Sequence, residues 1–388
     1  MGICNKKFGN LNMLNYSKTF KESICLYSFI PHYLLNGYAF APLHLFFLIT
    51  YRCNLHCEMC QWLQGEESNW LEGNQDRKEL TLIEIDAIVK QVSRQALISF
   101  SGGEPFIRKD MLDILQQVSR RNKCHVITNG TLLSEQDCQV LVNLGPKNLL
   151  GKGLILIGIS LQAPDEKLND KITGISGSFK MTLKTIKEVV QLKKSSKKRF
   201  PLVSMKIVIC QDNVDRLVEY LELAENLNVD ICNFMLQHNI IANLNRSTQG
   251  KDRICYMSPP SIDFMDTHIL KEQLKIILNK KNKSVQIRFS PDIPLPEIIN
   301  HYLNKINLKY YNCFSPWITL YIHPYGNLSL CFYCDYGNAR LHRVRTIWNS
   351  NPFISFRRKL KKARIFSGCI GCCQLVFNGR GLKTELIN

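Results

Sequence analysis

Long apolar runs are missing from this 388-residue chain. The stretch from Ile24 to Thr50 is rich in apolar and aromatic residues, but Pro31, His32, Asn36, Gly37, Pro42 and His44 interrupt it. Its longest strictly apolar run, Leu45 to Ile49, is far shorter than the roughly 20 residues a membrane-spanning helix needs. A small-residue cleavage pattern is absent from the N-terminus, which argues against a secretory signal. Met1-Gly2-Ile3-Cys4-Asn5-Lys6 lacks the Ser or Thr of a myristoylation signal. The expectation is a cytoplasmic chain in which residues 1–43 form an N-terminal extension. That extension lies on the domain or on a membrane surface, and packing on the domain is the favoured reading. Internal repeats of fixed period and low-complexity tracts are also absent, which excludes a solenoid.

Acidic residues are scarce. Lys and Arg number 50 against 32 Asp and Glu, a net charge of +18, and from Tyr336 to Thr384 there is no acidic residue against eleven Lys and Arg. The excess points toward anionic surroundings such as nucleic acid, phosphorylated ligands or an acidic membrane face, without choosing among them. The run Arg357, Arg358, Lys359, Lys361, Lys362 reads as a solvated helix face.

Cysteine, by contrast, is plentiful, at 16 residues. A chain of this size has the core it needs without a disulfide framework, so metal or cluster ligation in a reducing compartment is the leading explanation. Seven of the cysteines, Cys4, Cys25, Cys124, Cys138, Cys210, Cys232 and Cys255, have no neighbour at ligand spacing and read as core or incidental thiols.

From residue 44 onward short apolar runs alternate with amphipathic segments, the pattern of successive strand–helix units in a parallel α/β sheet. Six strands are expected: His44 to Thr50, Ala96 to Ser101, Lys123 to Thr128, Leu154 to Leu161, Leu202 to Ile209 and Asp230 to Leu236. Thr81-x-x-Glu84 and Ser134-x-x-Asp137 are capping boxes, and Asp110, Ser178 and Asn213 are candidate N-caps. Folds of this kind place the ligand site at the C-terminal ends of the strands. Beyond residue 240 the alternation stops. A polar stretch, a helical pattern over Phe264 to Leu278 and the Pro-rich Ser290 to Glu297 form a bridging region, 241–310, between a barrel at 44–240 and a final domain at 311–388.

Cys53, Cys57 and Cys60 follow the first strand in a C-x3-C-x2-C loop. Three thiolates can hold a four-iron cluster and leave one iron open to a substrate or cofactor. Taken alone, the loop is equally compatible with a zinc knot completed by His56 or a distant residue. Ser101-Gly102-Gly103-Glu104-Pro105 follows the second strand. Its glycines permit close backbone approach, and Glu104 can accept hydrogen bonds from an ammonium. The two motifs stand at the ends of neighbouring strands, where they would face each other across one pocket.

Together they resemble the radical S-adenosylmethionine (radical SAM) superfamily, over about residues 44–240. The resemblance implies a partial (β/α)6 TIM-like barrel in which Cys53, Cys57 and Cys60 hold a 4Fe-4S cluster whose open iron chelates S-adenosylmethionine. Reductive cleavage of that cofactor gives a 5′-deoxyadenosyl radical that abstracts hydrogen from a substrate. Gly102, Gly103 and Glu104 match the segment that binds the methionine amino group, and Ser160 matches a ribose-contacting position. Before the third cysteine the family commonly has an aromatic residue packed near adenine; here Met59 stands there, and a thioether can fill the same space. Thr128-Asn129-Gly130, Asp165 to Gly174 and Gln211-Asp212-Asn213 continue the resemblance less sharply. His125 and His238 lie near strand ends and receive no role.

Cys313, Gly326-x4-Cys331, Cys334, Cys369-x2-Cys372 and Cys373 make a third constellation, in which Tyr321 to Leu330 reads as strand, turn and strand. It resembles the SPASM and twitch auxiliary-cluster domains. It falls short of the full SPASM cysteine count, so a twitch-like β-hairpin and helix, with one auxiliary 4Fe-4S cluster on Cys313, Cys331, Cys369 and Cys372, is the better match. The roles of Cys334 and Cys373 stay open, each a replacement ligand or a free buried thiol. A zinc ribbon on Cys331, Cys334, Cys369 and Cys372 is the other reading.

The expected partners are a reductant such as flavodoxin or ferredoxin and an unidentified peptide, small-molecule or lipid-linked substrate, with possible peripheral membrane contact. The 43 residues before the barrel are few for a dedicated peptide-binding domain, which lowers the peptide reading. The alternative, a zinc-containing nucleic-acid-binding protein with a basic C-terminal domain, leaves Gly102 to Pro105 unexplained.

Overall fold

A computed structural model describes residues 27–60, 78–238, 262, 265–280, 284–331 and 336–378. Six parallel strands form where the apolar runs predict them, with ends shifted by a residue at most: β1 His44–Thr50, β2 Leu97–Gly102, β3 Lys123–Thr128, β4 Gly153–Ser160, β5 Leu202–Ile209 and β6 Ile231–Leu236. They pair in chain order. Residues alternate across each strand, so Val203, Met205, Ile207 and Ile209 of β5 enter the main apolar core under the helices while Ser204, Lys206 and Val208 face the concave lumen.

Two features lie outside the expected six strands. Gln286–Ser290, inside the region expected to bridge two domains, is a seventh strand, β7, parallel to β6. At the other edge, the C-terminal segment does not stand apart. After β8 (Tyr311–Cys313), strand β9 (Thr319–Ile322) pairs in parallel with β1, and β10 (Asn327–Ser329) returns antiparallel to β9 around Gly326, whose φ is +90°. With β11 (Gly337–Asn338) the result is one ten-stranded sheet. β12 (Leu375–Phe377) pairs with β8 separately. The partial barrel therefore continues into the hairpin, which covers the β1 edge that would otherwise present unpaired backbone.

Both capping boxes form, at α1 (Leu82–Val89) and α3 (Glu135–Asn143). The other candidate caps behave differently. Asp110 precedes α2 (Met111–Ser119) without a capping hydrogen bond, because its carboxylate takes Arg108 at 2.8 Å and 3.0 Å. α4 (Glu166–Thr173) is capped by Asp165. Ser178 is the first residue of α5 (Ser178–Ser195) rather than its cap; Gly177, at φ +79°, occupies that position. Asn213 turns back to Cys210 N and donates to the carbonyls of Gln162 and Val208. α6 (Leu217–Asn226) follows β5, and the helix expected over Phe264 to Leu278 forms as α7 (Thr267–Asn279), ahead of α8 (Leu295–Tyr302).

The basic run departs most from expectation. After α9 (Val344–Trp348) it lies on α10 (Asn351–Ala363), but Arg357 is fully buried. Its guanidinium stacks 4.4 Å from the Trp348 ring and donates to the carbonyls of Pro316, Trp348 and Gly37. Arg358 and Lys361 donate to the carbonyls of Asn36 and Tyr33. The described part of the N-terminal extension, helical at 27–34, thus packs on α10 through the charges expected to face solvent. Its His32 ring stacks edge-on against Phe314 and Trp317. Cys124, Cys138, Cys210 and Cys232 are buried, whereas Cys4, Cys25, Cys255 and Cys334 lie outside the described residues. No helix among the described residues is long and apolar enough to cross a membrane.

Candidate active site

The two motifs meet directly. Gly103 N donates to Thr50 O and Glu104 N to Arg52 O, both at 2.8 Å, so the glycine segment lies along the chain that leads into Cys53. The glycines are required by contact: a Cβ on Gly102 would sit 2.2 Å from Thr50 O, and one on Gly103 would sit 2.1 Å from Arg52 O. Gly102 also has φ +136°.

Glu104 is buried, and its carboxylate is held by three protein donors. Oε1 accepts from Thr128 Oγ1 at 2.7 Å and Phe106 N at 3.1 Å, and Oε2 accepts from Asn129 N at 2.7 Å. Glu104 thus caps the short 3-10 turn Pro105–Ile107. Burial raises its carboxyl to about 7 despite these hydrogen bonds.

Thr128 and Asn129 are the residues that sequence reasoning left out of the site, although it noted Thr128-Asn129-Gly130 at the end of the third strand. The Asn129 amide donates to Asn54 Oδ1 at 2.9 Å and reaches Cys53 Sγ at 4.0 Å. Asn54 in turn donates to Thr131 Oγ1 at 2.8 Å. The cysteine loop is fastened on its far side by His56 N to Thr173 O at 2.9 Å and Glu58 N to Ile172 O at 3.3 Å, at the end of α4. Met59 packs into a small apolar cluster with Ala163, Leu168, Ile172 and Cys210.

Cys53, Cys57 and Cys60 are all partly accessible. Burial, then the charges of Cys60 and Cys53, raise the Cys57 thiol to about 12. Cys53 is raised by burial, and by Glu104 and Cys60 to a smaller degree. Three thiols this close disfavour ionisation unless a cation compensates, which fits a metal cluster. Ser160 ends β4, half-buried and in register with Lys206. His56, the fourth ligand in the zinc reading, is exposed.

A second thiol group gathers at the hairpin. Pairing of Cys313 with Leu375 brings β8 beside the Cys369-x2-Cys372 turn. Cys313 feels the charges of Cys331 and Cys373, and Cys372 those of Cys373, Cys313 and Cys369. All four expected auxiliary ligands are therefore neighbours. Cys373 joins them, exposed rather than buried, and its thiol is lowered to about 7 by the Cys372 hydrogen bond, with Lys206 assisting.

Comparison with known proteins matches two families. The radical SAM superfamily matches residues 47–224, and the SPASM iron-sulfur cluster-binding domain matches residues 313–373. The chain is 30% identical over 148 residues to the antilisterial bacteriocin subtilosin biosynthesis protein AlbA of Bacillus subtilis, a stretch covering 38% of this chain and 30% of AlbA. Among solved structures, Streptococcus suis SuiB bound to S-adenosylmethionine superposes with a TM-score of 0.61 at 15% identity, covering 90% of this chain and 75% of SuiB. SuiB bound to its precursor peptide SuiA gives 0.60 with 74% of that chain covered. The anSMEcpe enzyme with bound AdoMet gives 0.52 at 15% identity, covering 81% and 82% of the two chains.

Proposed function

Because the chain belongs to the radical SAM superfamily and carries a SPASM-type domain, we propose that it is a radical SAM enzyme that modifies a peptide by hydrogen abstraction. The observation that carries the reading is the contact of Gly102-Gly103-Glu104 with the strand leading into Cys53. In it, Cys53, Cys57 and Cys60 hold a 4Fe-4S cluster, Gly102, Gly103 and Glu104 receive the methionine end of S-adenosylmethionine, and Ser160 receives its ribose. Cys313, Cys331, Cys369 and Cys372 hold an auxiliary cluster. When bound, the cluster and cofactor supply one-electron cleavage of the sulfonium and a 5′-deoxyadenosyl radical. The chain's own work is positional. The Asn129–Asn54 network fixes the loop around Cys53, and Glu104 presents a carboxylate oxygen to a cationic group.

Peptide modification is favoured because AlbA serves bacteriocin biosynthesis and SuiB is seen with a precursor peptide. The electron donor is a small reductant of the flavodoxin or ferredoxin kind. Nucleic-acid binding loses support, since Arg357, Arg358 and Lys361 of the basic helix are engaged by backbone carbonyls.

The test is anaerobic. Protein reduced with dithionite and given S-adenosylmethionine releases 5′-deoxyadenosine, and replacing Cys53, Cys57 and Cys60 with Ala abolishes release and removes about four irons per chain while the auxiliary cluster stays. Unchanged iron content or unchanged release sinks the reading.

A further inference from the structure

The glycine segment holds the exit of β1 by its backbone, through Thr50 O and Arg52 O. A second clamp holds the same two residues by their side chains, and its centre is Glu79. Thr50 Oγ1 donates to Glu79 Oε1 at 2.6 Å, and Arg52 Nη2 donates to Oε2 at 3.2 Å. Thr50 Oγ1 also accepts from Arg52 N at 3.1 Å, which closes the turn ahead of Cys53. Arg108, three residues beyond Pro105, joins the pieces with a side chain only 6% exposed. Its Nη1 donates to Ile49 O at 3.3 Å and to Glu79 Oε2 at 3.5 Å, its Nη2 donates to Leu80 O at 2.9 Å, and Asp110 takes its remaining charge.

Glu79 is braced in turn from the far end of the chain. Leu80 N donates to Pro324 O at 2.7 Å, at the turn between β9 and β10. Arg340, just after β11, donates through Nη2 to Lys78 O at 3.0 Å and Glu79 O at 3.3 Å, and through Nη1 to Tyr325 O at 3.1 Å. Its Nε is held by Glu84 Oε1 at 2.6 Å. Residues 78–80 are therefore a strut between the C-terminal hairpin and the residues that lead into Cys53. The arms of the clamp are unequal. Arg52 is 53% exposed, so its ion pair contributes little by itself, whereas Glu79 is 20% exposed and the Thr50 and Arg108 arms are shielded from water.

We propose that Glu79, anchored by the C-terminal hairpin, is a positioning residue for S-adenosylmethionine binding: it fixes Thr50 and Arg52, and through their carbonyls the spacing between Cys53 and the Gly102-Gly103-Glu104 segment. The inference rests on the radical SAM reading above for the identity of the cofactor. The partners of Glu79 are Thr50, Arg52 and Arg108 rather than a thiol, so it acts through the exit of β1 and not by ligation. If that exit shifts, the first thiolate and the glycine segment lose their spacing, and the cofactor is gripped at both. Glu79→Gln keeps an acceptor for Thr50 Oγ1 and drops the charge that orders Arg52 and Arg108; Glu79→Leu drops both.

The full chain, reconstituted anaerobically, supplies the test. Iron is counted, and the reduced protein is titrated with S-adenosylmethionine by electron paramagnetic resonance. Glu79→Gln is expected to keep its iron and to raise the titration midpoint about threefold, and Glu79→Leu about tenfold or more. Arg340→Met removes the anchor without touching Thr50 or Arg52; it should shift the midpoint the same way and add nothing to Glu79→Leu, because both act through one strut. An unaltered midpoint in the Glu79 variants overturns the proposal. Loss of barrel-site iron in Glu79→Gln overturns it too, since the residue would then be a general structural tie. Should Glu79→Leu fail to fold, the isosteric Gln variant decides by the same two outcomes. Additive shifts from Arg340→Met and Glu79→Leu overturn the anchoring by the hairpin. Wild-type protein whose signal ignores S-adenosylmethionine sinks the enzyme reading and this inference with it, whereas a wild-type response with unaltered variants sinks this inference alone.

Discussion

Tyr51, two residues before the first cysteine of the barrel loop, shares a 2.6 Å hydrogen bond with Nδ1 of His323 at the turn of the C-terminal hairpin. His323 Nε2 continues to Ser329 Oγ at 2.9 Å, and burial lowers the imidazole to about 4, so it stays neutral and uses one nitrogen as donor and the other as acceptor. The two cysteine groups are thus joined through a buried polar chain as well as through the β1–β9 pairing. Tyr51→Phe leaves a buried ring nitrogen unsatisfied and should cost about 1–3 kcal/mol in denaturant unfolding. A double-mutant cycle with His323→Leu should show coupling of about 1 kcal/mol. Additive effects would mean that the contact carries no energy.

Gly103→Ala should be far worse than an ordinary glycine replacement. The added methyl meets the Arg52 carbonyl, a backbone atom that cannot step aside without moving the cysteine loop. The expected cost exceeds about 3 kcal/mol. Iron incorporation at the barrel site should fall with it, measured by iron analysis after anaerobic reconstitution. Normal stability with normal iron would show that the loop tolerates displacement.

Glu104 has a pH signature. Its folded carboxyl, at about 7, lies above the ordinary value of 4.5, so the folded state favours the protonated form. The stability this contributes is complete below pH 4.5 and is lost as pH rises through 7. Relative to Glu104→Gln, wild-type cluster-free protein should lose roughly 3 kcal/mol across that window. In the loaded protein the same substitution should weaken S-adenosylmethionine by about tenfold or more, followed by electron paramagnetic resonance titration. An unaltered midpoint would reduce Glu104 to the cap of a 3-10 turn.

Arg357→Lys tests the buried guanidinium. Burial lowers Arg357 to about 9, and its fork serves carbonyls on three separate segments, which an ammonium cannot reproduce. A loss of about 2–4 kcal/mol is expected. Residues 27–43 should become more susceptible to limited proteolysis, because Gly37 O is one of the three acceptors. Unchanged cleavage there would argue that the aromatic contacts of His32 hold the segment by themselves.

The strands and both capping boxes were legible because each depends on a local pattern: alternating burial over five to eight residues, or a Ser or Thr three residues before an acid. The cysteine and glycine motifs were legible for the same reason, since ligand spacing and the need for an absent Cβ are written into adjacent residues. β7 escaped because Gln286–Ser290 is only five residues long, is partly buried along its whole length instead of alternating in burial, and lies in a segment dominated by Pro and charge. Asp110 and Asn213 misled because a cap-forming side chain also has other acceptors and donors within reach once the chain is folded.

By itself the sequence determined the parallel α/β order, the positions of both cysteine groups and the chemistry they can support. The tertiary structure decided which distant groups became neighbours. The open edge of β1 was completed by a strand some 275 residues later in the chain, as the His44–Thr319 contact shows. Arg357 was drawn inside by carbonyls from the N-terminal segment that its own neighbourhood does not reveal. Local spacing encodes which groups a residue can bond, but the partner it takes depends on which edges and acceptors folding leaves unsatisfied beside it.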